Sequence, residues 1–165
     1  MKKVTAMILC LFLCCTICSC NMSSDQSSTA VSFYYTTDII HYKTNSNVIE
    51  KEIFDAGAQR SDLEYLLTTY LSGPTNDKMI SPFPPAVKLS QATVKDNTVN
   101  IVLSNEFAML AGHELTIACA CLTLTALNIT QAESVLISAD SALLNNTEFI
   151  SMDGSCIYLV DAAAK

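Results

Sequence analysis

The stretch Gln91–Phe107, QATVKDNTVNIVLSNEF, constrains the fold more than any other part of this 165-residue chain. Val94 precedes the polar break Lys95-Asp96-Asn97-Thr98, and Val99, Ile101 and Leu103 then alternate with Asn100, Val102 and Ser104. Period-two alternation around a short Asp-Asn turn predicts a β-hairpin with one buried face. Two helix-like segments flank it, Asp62–Leu71 and His113–Leu127, and each needs an apolar surface to cover. The hairpin supplies that surface, so its expected place is the centre of a sheet.

The first helix carries start, face and stop signals. Ser61 is placed to cap it, with Glu64 three residues later completing a capping box. Leu63, Leu66, Leu67, Tyr70 and Leu71 form one stripe at helical spacing. Gly73 suits a left-handed C′ position, and Pro74 forbids continuation. The second helix is apolar over a broad arc, from Leu115 and Ile117 to Leu124 and Leu127, which predicts extensive burial.

Strands are expected at Val31–Thr36, Val48–Phe54, Ser134–Ala139 and Cys156–Val160, with Ile39–Tyr42 pairing back on the first. Pro82, Pro84 and Pro85 keep Ser81–Ala86 extended and unpaired, and Asn145-Asn146 marks a turn. Helices separated by hairpins predict an α+β domain, with two helices on one face of a mixed, mostly antiparallel sheet.

The N-terminus reads as a processing segment. Lys2 and Lys3 precede the uncharged run Val4–Ile17, which would rise about 21 Å as a helix. That is short of a hydrocarbon core of about 30 Å, so a signal h-region is the better reading. Ile17-Cys18-Ser19-Cys20 resembles the bacterial lipobox, which implies cleavage between Ser19 and Cys20 and a diacylglyceryl thioether on Cys20. The organisation expected is therefore a lipoprotein signal peptide at 1–19, a lipidated cysteine with a flexible tether at 20–30, and one domain at 31–165. The tether is expected from its composition: Ser-rich Asn21–Ala30 cannot bury enough surface to offset its ordering entropy.

Loss of 1–19 removes two lysines and no acid, moving the net charge from −7 to −9. Such a surface repels phosphate backbones and anionic lipid headgroups, which excludes nucleic acid as a partner and leaves the lipid on Cys20 to hold the membrane. Of eight cysteines only Cys119, Cys121 and Cys156 fall in the domain. Cys119 and Cys121 point to opposite sides of a helix and cannot bridge each other, so all three are read as free apolar residues. A bridge from Cys156 to Cys119 or Cys121 stays open.

No catalytic residue, cofactor or metal site is nominated. His41 and His113 are the only histidines, and no spacing joins His113, Glu114 and Glu106 into a ligand set. Glu114 serves the dipole of its own helix. Ser104 lacks a nucleophile elbow. Phe33, Tyr34 and Tyr35 form a candidate interaction platform on the first strand, where an aromatic edge could accept a partner by strand addition. Alternation puts Phe33 and Tyr35 on one side and Tyr34 on the other.

The order of motifs resembles the GerMN domain of spore-germination and sporulation lipoproteins. The resemblance is carried by Leu66–Thr75 (LLTTYLSGPT), Ser81–Val87 (SPFPPAV), the hairpin closing in Leu103-Ser104-Asn105-Glu106-Phe107, and Leu122-Thr123-Leu124-Thr125 followed by Val135-Leu136-Ile137. It covers roughly Val31–Gly154, most of a single domain. It implies a non-catalytic module, lipid-anchored on the extracytoplasmic face of the membrane, that contacts envelope proteins in sporulation or germination. The oligomeric state stays open. Two other classes compete with it: a surface enzyme acting on cell-wall material, and a small-ligand-binding lipoprotein.

Overall fold

The computed structural model describes residues 29–37 and 48–157. The expected signal peptide, Cys20, most of the tether, the strand at Ile39–Tyr42 and residues 158–160 of the expected closing strand lie outside these residues. Among the described residues seven strands and two α-helices follow one another as β1 (Ala30–Thr37), β2 (Ile49–Asp55), α1 (Leu63–Leu71), β3 (Met79–Ile80), β4 (Leu89–Lys95), β5 (Thr98–Leu103), α2 (Gly112–Thr130), β6 (Ser134–Ala139) and β7 (Ile150–Asp153). The class is α+β. The single sheet expected from sequence is divided in two, an antiparallel β2-β1-β3 and a mixed β4-β5-β6-β7.

The division follows from α2. Buried residues occur all around it, from Leu115 through Ala118, Cys119, Cys121 and Leu122 to Ala126 and Ile129. A helix without a polar face needs apolar cover on several sides. It finds β1 on one flank and β5, β6 and β7 on another. By length and composition α2 could cross a bilayer, but more than half of it is buried inside the domain, which makes it a core helix.

The flank against β1 replaces a strand. Thr37 donates to the Val48 carbonyl and Ala56 to that of Thr29, each at 3.0 Å, so odd-numbered β1 residues bond to β2. Ser32 and Tyr34 therefore turn their N–H groups the other way. Ser32 N–H meets Asn128 Oδ1 at 2.7 Å, and Tyr34 N–H meets Thr125 Oγ1 at 3.0 Å. Further along, Thr36 pairs with Ile80 of β3. Two helix side chains and one short strand thus satisfy an edge that would otherwise be buried and unpaired. Arg60 completes the assembly by donating to the Ile129 carbonyl at 2.8 Å, where a cation also favours the C-terminal dipole of α2.

The hairpin forms as expected. Asp96 (φ 49°) and Asn97 (φ 61°) take the left-handed conformations of a two-residue turn, which Asp and Asn tolerate best among residues with a Cβ. Val99, Ile101 and Leu103 are buried on β5, which is an inner strand. β4 is an edge, so Val94 is 52% exposed and the hairpin is not wholly central.

Two further expectations shift. The cap of α1 is Asp62, not Ser61: Asp62 has extended backbone and its carboxylate accepts from Tyr65 N–H at 2.9 Å. A cap of this kind contributes about 1 kcal/mol. Gly73, at φ 97°, stops the helix as expected. The last strand of the second sheet is Ile150–Asp153, and Cys156 sits in the 3-10 turn Gly154–Cys156 that follows it.

An aromatic cluster fills the space beside α1. The Phe33 ring stacks on Phe54 at 5.0 Å, and Tyr35 lies 4.9 Å from Tyr70, which meets Phe83 edge-on at 5.6 Å. Tyr35 donates to the Tyr70 carbonyl at 2.9 Å, and Tyr70 returns a bond to the Tyr34 carbonyl at 2.7 Å. Burial raises both phenols' pKa values, with the Glu52 charge adding to the effect at Tyr35. Burial also pushes the Cys119 and Cys121 thiols up to about 12.

Two predictions follow from these contacts. Thr123 and Thr125 are both fully buried, but Thr123 Oγ1 has no hydrogen-bond partner whereas Thr125 Oγ1 accepts from Tyr34. Thr123→Val should leave stability unchanged or raise it by up to about 1 kcal/mol, while Thr125→Val should cost about 1–3 kcal/mol by orphaning a buried N–H. Urea melts of the two variants check this, and equal losses would contradict it. The second concerns alkali. Unfolded thiols and phenols ionise near pH 8.5 and 10, below the folded values of these buried groups, so above those points the folded state holds more protons than the unfolded. Their stabilising contribution is therefore full below about pH 8.5 and lost as pH rises towards 12. Urea midpoints at pH 8 and pH 10.5 should show the decline.

Candidate functional site

Chain direction gives the domain two distinct poles. β1 runs antiparallel to α2, since Ser32 meets Asn128 and the later Tyr34 meets Thr125. The start of β1 at Ala30 therefore lies beside the C-terminal end of α2, with Arg60 and the Asp96-Asn97 turn, which reaches Glu133 at 2.9 Å. The end of β1, the ends of β5 and β6 and the start of β7 gather at the N-terminal end of α2. Nineteen helical residues separate the two poles by about 28 Å.

At the N-terminal pole two depressions flank the first turns of α2. One, of about 310 Å³, is lined by Thr36, Thr37 and Val48, by Ile80-Ser81-Pro82-Phe83-Pro84, and by Leu110, His113, Glu114 and Ile117. The other, of about 660 Å³, lies between Gly112, Leu115, Thr116 and Cys119 of the helix and Leu144–Cys156 across from it, with Phe149 and Met152 on its wall. The smaller lining is mainly apolar, and the larger one mixes apolar side chains with Thr116, Asn145, Thr147 and Ser151.

The sequence explains why this pole is open. The proline run Ser81–Pro85 makes no ladder, as expected, and so leaves a wall instead of a strand. Gly112, at φ 56°, begins α2 from a backbone conformation that residues with a Cβ rarely adopt. Asn105 then ties the pole together: its side-chain oxygen accepts from Ser141 N–H at 3.0 Å and Ala142 N–H at 3.1 Å, and its amide donates to Ser141 Oγ at 3.1 Å. These bonds hold the 3-10 turn Asn105–Met109 against the loop after β6 and leave Met109, Leu143 and Phe149 more than half exposed.

The residues singled out from sequence fall as follows. Phe33 and Tyr35 are core residues at 2% and 0% exposure, so their rings are not available to a partner in the folded domain. Tyr34 is half-buried, its N–H is taken by Thr125 and its carbonyl by Tyr70, and β1 has neighbours on both edges. Strand addition at β1 would first have to break those bonds. His113 and Glu114 are exposed and share the lining of the smaller depression, which Glu106 does not join. The Ser104 hydroxyl lowers the Glu106 pKa and also accepts Lys88 N–H at 3.0 Å, tying the start of β4 to the end of β5. No group of three or more His, Cys, Asp or Glu able to hold a metal occurs among the described residues.

Cys119, Cys121 and Cys156 are free, the first two buried and the third exposed. Cys119 and Cys156 line the same depression, whereas Cys121 faces Tyr70 on the other flank of α2. Alkylation of the native protein should therefore label Cys156 within minutes and leave Cys119 and Cys121 unmodified until denaturant is added. Peptide mass spectrometry after iodoacetamide reads each site separately, and early labelling of Cys119 would contradict its burial.

A protein-family model described as Germane, sporulation and spore germination, matches residues 32–144. The fold is similar to the first GerMN domain of the sporulation protein GerM from Bacillus subtilis, with a TM-score of 0.57 at 16% identity over 75% of this chain and 95% of that one. The tandem GerMN domains of the same protein match with a TM-score of 0.56 at 15% identity, over 75% of this chain and 45% of theirs. A candidate lipoprotein from Clostridium perfringens matches with a TM-score of 0.50 at 17% identity, over 76% and 87% of the two chains. Among curated proteins no sequence matches.

Proposed function

The chain belongs to the Germane family of sporulation and spore-germination proteins, and from that premise we propose that it is a lipid-anchored, non-catalytic contact module of the bacterial envelope. The observation that carries this reading is the separation of the two poles. The chain enters the domain at Thr29 and Ala30, beside one end of α2, while the apolar depressions and exposed Met109, Leu143 and Phe149 crowd the other end. An anchor at one pole presents the other to the compartment beyond the membrane. Ile17-Cys18-Ser19-Cys20 supplies the anchor by its resemblance to a lipobox, and the similarity to a candidate lipoprotein supports it.

Binding suits this pole better than catalysis. The walls of its smaller depression are mostly aliphatic, aromatic and prolyl, and His113 and Glu114 sit on an open rim where water competes for every hydrogen bond. A second reading, a small apolar ligand in the 310 Å³ depression, is favoured by its volume, which reaches the lower end of the range for ligand pockets. A defined extra mass co-purifying in native mass spectrometry would support that alternative.

The anchor is tested directly. Cys20→Ala should abolish incorporation of labelled fatty acid and move the protein out of the membrane fraction. A variant that stays membrane-bound and still takes label would remove Cys20 as the anchor.

A further inference from the structure

We infer that the pole around the start of α2 receives a cationic amphipathic segment of another protein, its apolar side chains seated in the two depressions and its lysines or arginines facing Glu106, Glu114 and Glu148. This rests on the contact-module reading above and adds the chemistry of the partner. Four of the seven large apolar side chains exposed among the described residues, Ile80, Met109, Leu143 and Phe149, stand at this one pole. Both depressions share the first two turns of α2, so one partner segment laid across the helix start reaches both. Exposed apolar surface concentrated in this way marks an interaction site more often than scattered single residues do.

Charge selects the occupant. Glu106, Glu114, Asp140 and Glu148 lie on the turn, helix, loop and strand approach that build the pole. Asp140 is engaged by the Ser90 hydroxyl at 2.8 Å. The cations on this end are Lys88, whose charge acts on Glu106, and Lys78, just before β3 and next to Asp77. The free N–H groups at the start of α2 add about half a positive charge. Against the five carboxylates Asp77, Glu106, Glu114, Asp140 and Glu148, two lysines and about half a charge leave the pole negative. The whole chain carries the same sign, at −7, so association with an acidic surface would be opposed at long range as well. A cationic segment is steered in by that field and is then held by its apolar anchors. The anionic membrane surface is disfavoured by the same balance, and a second copy would bring like charge to like.

The test uses the full-length protein in the bacterium that makes it. Met109→benzoylphenylalanine places a photo-crosslinker at the pole, and Val94→benzoylphenylalanine, exposed near the opposite one, serves as control. The expected result is one crosslinked segment from the Met109 site in which Lys or Arg flank Leu, Ile, Val or Phe, with none from the Val94 site. Adding Glu106→Lys and Glu148→Lys should cut the yield at least fivefold while thermal melts show an intact fold. Should the double reversal unfold, Glu148→Lys alone, on an exposed position, carries the same test. Crosslinks to a phospholipid, to a second copy or to an acidic segment would overturn the inference, as would an undiminished yield after charge reversal or no crosslink at all. Membrane fractionation of the same cells separates the two levels. A protein that is anchored but makes no crosslink loses this inference only, and one that crosslinks as expected but is not anchored loses the anchor only.

Discussion

The architecture depends on α2 being accepted as the neighbour of a β-strand. A strand edge beside a helix is normally a liability, because the helix has no backbone donors or acceptors to offer it. Here Asn128 and Thr125, one turn apart, present oxygens at the spacing of alternate residues on β1. Two residues along a strand advance about 6.6 Å, and three along a helix about 4.5 Å; side-chain reach absorbs the difference. Without those two acceptors, Ser32 and Tyr34 would each bury an unpaired N–H, at about 1–3 kcal/mol apiece. With them, α2 lies between two small sheets and buries most of its circumference.

That arrangement also fixes where the domain is open. β5, α2 and β6 form a parallel crossover, so the ends of both strands and the start of the helix must fall together. The connections meeting there are the turn after β5, the loop after β6 and the proline wall before β4. Asn105 bonds the first to the second, and the Phe83 ring lies 6.0 Å from Phe107, joining the proline wall to the buried core. The same pole is therefore stiffened from below and left apolar at its rim. Surface apolar groups held on a rigid frame lose little entropy when they are covered, which favours recognition.

Much of this was legible in the sequence. The hairpin, the stripe and stop of α1, the burial of α2, the unpaired proline run and the turn at Asn145-Asn146 follow from periodicity and from residues with restricted backbone, and these are local properties. The two sheets were not legible, because the acceptors that divide them are single polar residues, Thr125 and Asn128, inside an apolar run. Nothing in their spacing distinguishes them from ordinary solvent-facing positions. The aromatic strand misled for a related reason. Alternation correctly separated Tyr34 from Phe33 and Tyr35, yet which face was core, and whether the edge was free, depended on α2. The pole itself had one visible trace, the prolines, while Met109 is far in sequence from Leu143 and Phe149 and meets them only in the fold.

Distance and charge together determine what an anchored domain of this shape can reach. Nine residues separate Cys20 from Ala30, a contour of at most about 35 Å. Electrostatic repulsion between an acidic domain and anionic headgroups acts over about 8–10 Å at physiological salt. In the proposed anchored form the intervening chain would be long enough to satisfy that repulsion, which also favours turning the acidic far pole away from the bilayer. The pole at the start of α2 is a further 28 Å or so from where the chain enters. An anchored copy would thus display its apolar, acidic end tens of ångströms from the lipid surface. A partner reaching it would approach from the opposite side of the compartment or extend from a neighbouring membrane protein. In the proposed geometry the lipid would not need to contribute to recognition: it would raise the local concentration of a site at the other end of the molecule.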